Sequence, residues 1–95
     1  MNTELYEIYE AIAEISDGLM ENRIEFTYDK LMGAMSNCHP SDSLDMILPK
    51  IDWDSRSPDI ELISEALEEL IEFNAAYKVK ELEGPISRLK EFIEA

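Results

Sequence analysis

Residues 3–22 read TELYEIYEAIAEISDGLMEN, and this stretch carries two patterns with one period. Apolar side chains recur at spacings of three and four residues, at Leu5, Ile8, Ile12, Ile15 and Leu19. Carboxylates recur at the same spacing on the opposite side, at Glu7, Glu10, Glu14, Asp17 and Glu21. Such spacing is typical of an amphipathic α-helix. We therefore predict a first helix with an apolar core face and an acidic outer face. Gly18 weakens it, so its end is expected near Asn22.

The acidic excess extends over most of the chain. Its 95 residues include 22 Asp and Glu against 8 Lys and Arg, which is a net charge of −14. Residues 1–77 carry all of this excess, whereas residues 78–95 have equal numbers of acids and bases. Nucleic acids and anionic membranes both require a positive protein surface, so neither is an expected partner. A cationic protein is the partner that such a surface favours.

Composition also limits the chemistry. We expect a single domain over residues 1–95, with an acidic body at 1–77 and a neutral helical segment at 78–95. One cysteine excludes an internal disulfide, and one histidine with one cysteine cannot form a structural zinc site. A calcium loop starting at Asp52 would require glycine where Ser57 stands, so that pattern fails. No cofactor and no metal are expected.

Catalysis and export are not indicated either. Cys38 and His39 are neighbours in the chain, and adjacent side chains on an extended backbone point to opposite sides. No second histidine is present to act as a base for a nucleophile, so we do not expect an enzyme. The N-terminus lacks the basic start and apolar run of a signal peptide, and no segment is apolar enough to span a membrane. These features predict a cytoplasmic protein.

Further helices are predicted along the chain. A second helix is expected over roughly residues 25–36, and a very short third helix is expected to carry Leu44, Ile47 and Leu48 and to end at Pro49. Its possible caps are Ser41, Asp42 and Ser43, since serine and aspartate both favour the N-cap position.

The second half of the chain predicts two more helices. Ser57 is expected to cap a long helix, with Pro58 in its first turn. Asn74 falls in the core seam of this helix as a candidate buried, hydrogen-bonded group. Its predicted core stripe is Ile60, Ile63, Ala66, Leu67, Leu70, Ile71 and Tyr77. Beyond Gly84, a last amphipathic helix is expected to bury Ile86, Leu89 and Ile93. The predicted fold class is all-α, a small four- to five-helix bundle with a very short third helix.

Two resemblances bear on function. The segment Asp42-Ser43-Leu44-Asp45 resembles the attachment motif of acyl carrier proteins, which would make Ser43 a phosphopantetheine site. In that family the serine opens a long helix, whereas here Pro49 ends the predicted helix soon after Ser43.

The second resemblance is longer. Four features follow one another along the chain: His39-Pro40, a short helix ended by Pro49, an acidic loop at 52–56, and Ser57-Pro58-Asp59. This arrangement resembles the colicin and pyocin nuclease immunity proteins over about residues 3–70. The resemblance implies a helical inhibitor of a toxin nuclease. The family places two anchoring tyrosines in the short helix, just before its proline, and this chain has Ile47 and Leu48 there.

We therefore predict an immunity protein that binds and neutralises a cognate basic toxin, with a nuclease domain as the expected partner. The chain itself is expected to be a monomer or a weak homodimer. Trp53 is the preferred aromatic anchor, with Tyr6, Tyr9 and Tyr28 as further candidates. The predicted partner-binding residues are Glu25, Asp29, Asp42, Asp45, Asp52, Trp53 and Asp54. An acyl carrier protein and a nucleic-acid mimic that binds several basic proteins remain the alternatives.

Overall fold

A computed structural model describes residues 3–27, 39–51, 53, 57 and 59–94. These residues form four α-helices and no strand: α1 (Thr3–Met20), α2 (Pro40–Ile47), α3 (Ile60–Tyr77) and α4 (Glu83–Glu94). A single 3₁₀ turn, Leu48–Lys50, follows α2, and a second one, Lys80–Leu82, precedes α4. The all-α bundle class is confirmed, and α2 is its short helix. Most of the predicted helix at 25–36 lies outside the described residues, but 25–27 are not helical.

The end of α1 lies where the sequence places it. Asn22 adopts a left-handed conformation with φ of 60°, which terminates the helix. Its N–H donates to the Leu19 carbonyl at 3.3 Å, and the Arg23 N–H donates to the Gly18 carbonyl at 2.8 Å. These two bonds satisfy carbonyls that a helix end otherwise leaves unpaired.

Gly18 has a packing role at this end of α1. A Cβ atom at Gly18 would lie 2.5 Å from Ile24 Cδ1 and 2.7 Å from Ile24 Cγ1. Ile24 therefore packs directly onto the helix backbone, which only glycine permits without a shift of that side chain. The glycine that weakens the helix is thus what lets the chain fold back over it.

The start of α2 differs from the prediction. His39 is extended, with φ of −65° and ψ of 142°, as expected for a residue before proline. Its Nδ1 accepts the Ser41 N–H at 3.1 Å, so His39 is the N-cap. The expectation that Ser41, Asp42 or Ser43 caps this helix is wrong. The helix already begins at Pro40, and both serines lie inside it and are buried.

The start of α3 also requires a correction. The Asp59 carboxylate accepts the N–H groups of Glu61 at 3.0 Å and Leu62 at 3.4 Å, so Asp59 is the N-cap. The helix begins at Ile60, later than the predicted Ser57 cap with Pro58 in the first turn. Pro58 itself lies outside the described residues. Aspartate and serine cap equally well, and here the later residue does so.

The core stripe of α3 was predicted only in part. Ile63, Leu70 and Tyr77 are buried as expected, but Ile60 and Ile71 are 44% and 47% exposed. These two predictions are wrong because both positions lie about a quarter-turn or more away from the buried face. Phe73, which the sequence analysis missed, is 1% exposed.

Asn74 also departs from its prediction. Its Oδ1 atom is buried, yet it accepts no hydrogen bond within the part of the chain that the structure describes. The expectation of a satisfied buried amide is therefore wrong for this oxygen.

The neutral segment completes the core. Leu89 is fully buried, with Ile86 and Ile93 partly buried beside it, as predicted. Val79 and Leu82, which precede α4, are fully buried as well. Helix α4 packs against both α1 and α3.

Candidate partner-binding surface

The outer face of α1 presents its carboxylates to solvent. Every acidic residue that the structure describes is exposed except Glu69, whose Oε2 lies 2.7 Å from Lys50 Nζ. Arg88 pairs with Glu7 at 2.9 Å, and Arg23 lies beside Glu21. Glu10, Glu14 and Asp17 lie between Glu7 and Glu21 on α1. Among the described residues, no lysine or arginine pairs with these three carboxylates. This surface therefore projects negative charge over roughly a Debye length, about 8 Å at physiological salt.

Helix α2 is tied to α1 by a buried hydroxyl. Ser16 is 2% exposed, and its Oγ lies 2.8 Å from Asp45 Oδ1 and 3.1 Å from the Ser41 carbonyl oxygen. The single hydroxyl proton is thus shared between two acceptors on α2. The bond fixes the Asp45 carboxylate against α1 at Ser16. We use the name α1–α2 acidic face for the exposed acids of these two packed helices, namely Glu10, Glu14, Asp17, Asp42 and Asp45.

Three aromatic rings lie together near the start of α1. The Trp53 ring centroid is 5.0 Å from that of Tyr6 and 5.7 Å from that of Tyr9. We call these three residues the aromatic cluster. Trp53 follows α2 and contacts the start of α1, whereas Ser41 near the start of α2 contacts Ser16 near the end of α1. The two helices therefore run in opposite directions.

A carboxylate is attached to the edge of the aromatic cluster. The Tyr6 hydroxyl donates a hydrogen bond to Glu10 Oε1, one helical turn further along α1. This bond and the negative charge of Glu10 raise the pKa of the Tyr6 phenol above its usual range, because both favour the protonated hydroxyl. Glu10 is consequently held against Tyr6 while it remains exposed.

The Tyr6 contact predicts a shifted alkaline titration. Glu10→Gln removes the negative charge, so the pKa of the Tyr6 phenol should fall toward its ordinary value. Because this pKa is raised in the folded protein, the contact stabilises the fold at pH values below the ordinary tyrosine pKa. Its contribution is lost as the pH rises through the raised pKa. Phenolate absorbance, with Tyr6→Phe to assign the transition, measures both values. An unchanged Tyr6 titration in Glu10→Gln would contradict the contact.

The predicted site residues divide into three groups. Asp42 and Asp45 are exposed together on the outer face of α2, and Trp53 is half-buried in the aromatic cluster. Glu25 lies in a separate groove lined by Phe26, Thr27, Lys78, Lys80 and Glu81. Asp29, Asp52 and Asp54 lie outside the described residues.

Met46 is a surface residue that the sequence analysis missed. It is 73% exposed and follows Asp45 on the outer face of α2. Ile47 and Leu48, which stand at the tyrosine positions of the immunity family, are only 3% and 6% exposed. At about 100° per residue, Met46 lies some 200° around the helix from Leu44 and from Leu48. Its position in the sequence was therefore sufficient to identify it as a surface residue.

Ser43 is placed unfavourably for the carrier-protein alternative. It is 4% exposed and lies on the inner side of α2 with Leu44 and Ile47. A transferase would need access to its hydroxyl, and this burial restricts that access in the folded protein.

None of the helices in the described part of the chain is long and apolar enough to cross a membrane. Searches of protein-family models, of curated proteins and of solved structures found no match to this chain.

Proposed function

We propose that this protein binds and neutralises a basic protein toxin, a nuclease of the bacteriocin or contact-dependent kind, by forming a one-to-one complex. The observation that carries the proposal is the α1–α2 acidic face. Its carboxylates point outward, and among the described residues no base pairs with them. A surface of this kind costs self-repulsion in the free protein, which a cationic partner relieves.

The physics of inhibition follows from what a nuclease requires. A nuclease must present a positive surface to nucleic-acid phosphates. An acidic protein that covers or flanks this surface is attracted over long distances, so it associates quickly and in a salt-sensitive way. Lasting affinity then depends on a few apolar anchors. Met46 and the aromatic cluster provide apolar surface bordering the carboxylates.

The resemblance to nuclease immunity proteins supports the same proposal. The short α2 lies between His39 and Pro49, where that family has its very short helix. The tyrosine anchors of the family are replaced by the buried Ile47 and Leu48, so a partner must be anchored elsewhere. Met46 is the exposed apolar side chain of this helix.

Affinity capture combined with an activity assay tests the proposal. The full chain is immobilised, exposed to an extract of its native cell, and eluted with increasing salt. We expect one basic protein with nuclease activity, inhibited completely when one equivalent of this chain is added. Capture without inhibition of any toxic activity would contradict the proposal.

The alternatives predict other outcomes of the same experiment. A nucleic-acid mimic would capture several unrelated DNA-binding proteins. A carrier protein would gain a phosphopantetheine mass on Ser43 when co-expressed with a transferase. Either result would replace the toxin-inhibitor proposal.

A further inference from the structure

We propose that the aromatic cluster and Glu10 together form a binding site for an arginine side chain of the partner protein. The assignment of this arginine to the toxin rests on the proposed function, whereas the site itself rests on the geometry of four side chains. It is formed by Tyr6, Tyr9 and Glu10 of α1 and by Trp53 from the segment after α2.

The three rings of the aromatic cluster are tilted against one another and partly exposed. The Trp53 ring is tilted by 53° relative to Tyr6 and by 46° relative to Tyr9, so the three rings do not stack flat on one another. All three are half-buried, and each keeps part of its surface in solvent. A cation within about 6 Å of an aromatic centroid is attracted by the negative face of the ring, most strongly for tryptophan.

Glu10 provides the second half of the recognition. Its Oε1 accepts a hydrogen bond from the Tyr6 hydroxyl, which holds the carboxylate at the edge of the Tyr6 ring. An ionised carboxylate has about four lone-pair sites, so one hydrogen bond leaves capacity for more. Within the described residues, no lysine or arginine pairs with Glu10. The site therefore joins an aromatic surface to a carboxylate that still has room for a donor.

This combination favours arginine over lysine. A guanidinium group is planar, so its face can stack on an aromatic ring while its N–H groups donate to a carboxylate in the guanidinium's own plane. An ammonium group is a compact, strongly hydrated charge, and it cannot stack in this way. The other exposed acids of α1 and α2 raise the local concentration of either cation but do not discriminate between them.

Two short peptides test the discrimination. They are identical except that one carries arginine where the other carries lysine, so their charges match. Trp53 is the only tryptophan of the chain, which makes its fluorescence and its indole N–H signal reporters of this site. We expect the arginine peptide to perturb both signals and to bind about fivefold more tightly than the lysine peptide. Equal affinities, or unchanged Trp53 signals, would overturn the site.

A matched pair of variants tests the carboxylate. Glu10→Gln and Glu14→Gln each remove one exposed negative charge from α1, but only Glu10 contacts the aromatic cluster. We expect Glu10→Gln to weaken binding of the arginine peptide about fivefold to tenfold, and Glu14→Gln to weaken it less than twofold. Equal losses would show that general acidity is responsible, which would overturn the site.

The site and the proposed function can fail separately. Arginine-selective binding without any inhibited toxin would remove the proposed function and leave the site standing. Toxin inhibition that is unaffected by both Glu10→Gln and Trp53→Leu would overturn the site and leave the function standing. Glu10→Gln changes an exposed side chain, so it tests the site even if Trp53→Leu lowers stability.

Discussion

Replacing Phe73 with alanine is expected to lower the free energy of unfolding by about 3–5 kcal/mol. Phe73 is 1% exposed, and its ring centroid lies 4.7 Å from that of Tyr77. Truncation removes the transfer free energy of a large ring and leaves a cavity that the surrounding helices fill only in part. A domain of this size is stable by roughly 5–15 kcal/mol, so the variant loses a large share of its stability.

Urea unfolding followed by circular dichroism measures this loss. Ile71→Ala is the matched control, because Ile71 lies on the same helix and is 47% exposed. We expect the control to lower the unfolding free energy by only about 0.5 kcal/mol. If the two variants lost equal stability, or if Ile71→Ala lost more, the buried face of α3 would be assigned wrongly.

Replacing Leu89 with alanine is expected to lower the free energy of unfolding by about 2–5 kcal/mol. Leu89 is fully buried, and with Pro85 it is one of the two buried residues of α4. Leu89 belongs to residues 78–95, the segment in which acids and bases are equal in number. Because α4 packs against both α1 and α3, we expect the neutral segment to stabilise the same core as the acidic body.

The neighbouring Lys90 provides the control, since it is exposed on the same helix. Lys90→Ala should leave stability within about 0.5 kcal/mol of the parent. A Leu89→Ala variant with unchanged unfolding but altered sedimentation would instead indicate that α4 mediates association between copies of the chain.

Helical periodicity predicted much of the fold, but it did not predict the residues at which α2 and α3 begin. The patterns around Leu5 and Leu89 identified α1 and α4, because a long amphipathic stripe has one consistent phase. The starts of α2 and α3 depend on which of several suitable residues caps the helix. His39 is an uncommon cap, and Asp59 competes with Ser57 on nearly equal terms. Tertiary packing decides between them, and a local pattern does not contain that information.

The candidate surface was also predictable from the sequence only in part. The carboxylate stripe of α1 was predictable because it follows from the same period as the core. The contacts that give the surface its shape join residues that are distant in the chain, such as Trp53 with Tyr6 and Ser16 with Asp45. No spacing rule predicts such pairs. Met46 was predictable, since its phase on α2 is opposite to that of Leu44 and Leu48.

Stopped-flow association with the captured basic partner, measured over a range of salt concentrations, tests whether the α1–α2 acidic face steers binding. We expect the association rate constant to fall steeply as salt rises, while the dissociation rate changes little. Reversing Glu14 and Asp17 to lysine should slow association at low salt about tenfold or more. Reversing Glu68 and Glu72, which are exposed acids on α3, should slow it less. Association that is independent of salt, or slowed equally by both pairs, would contradict a steering role for this face.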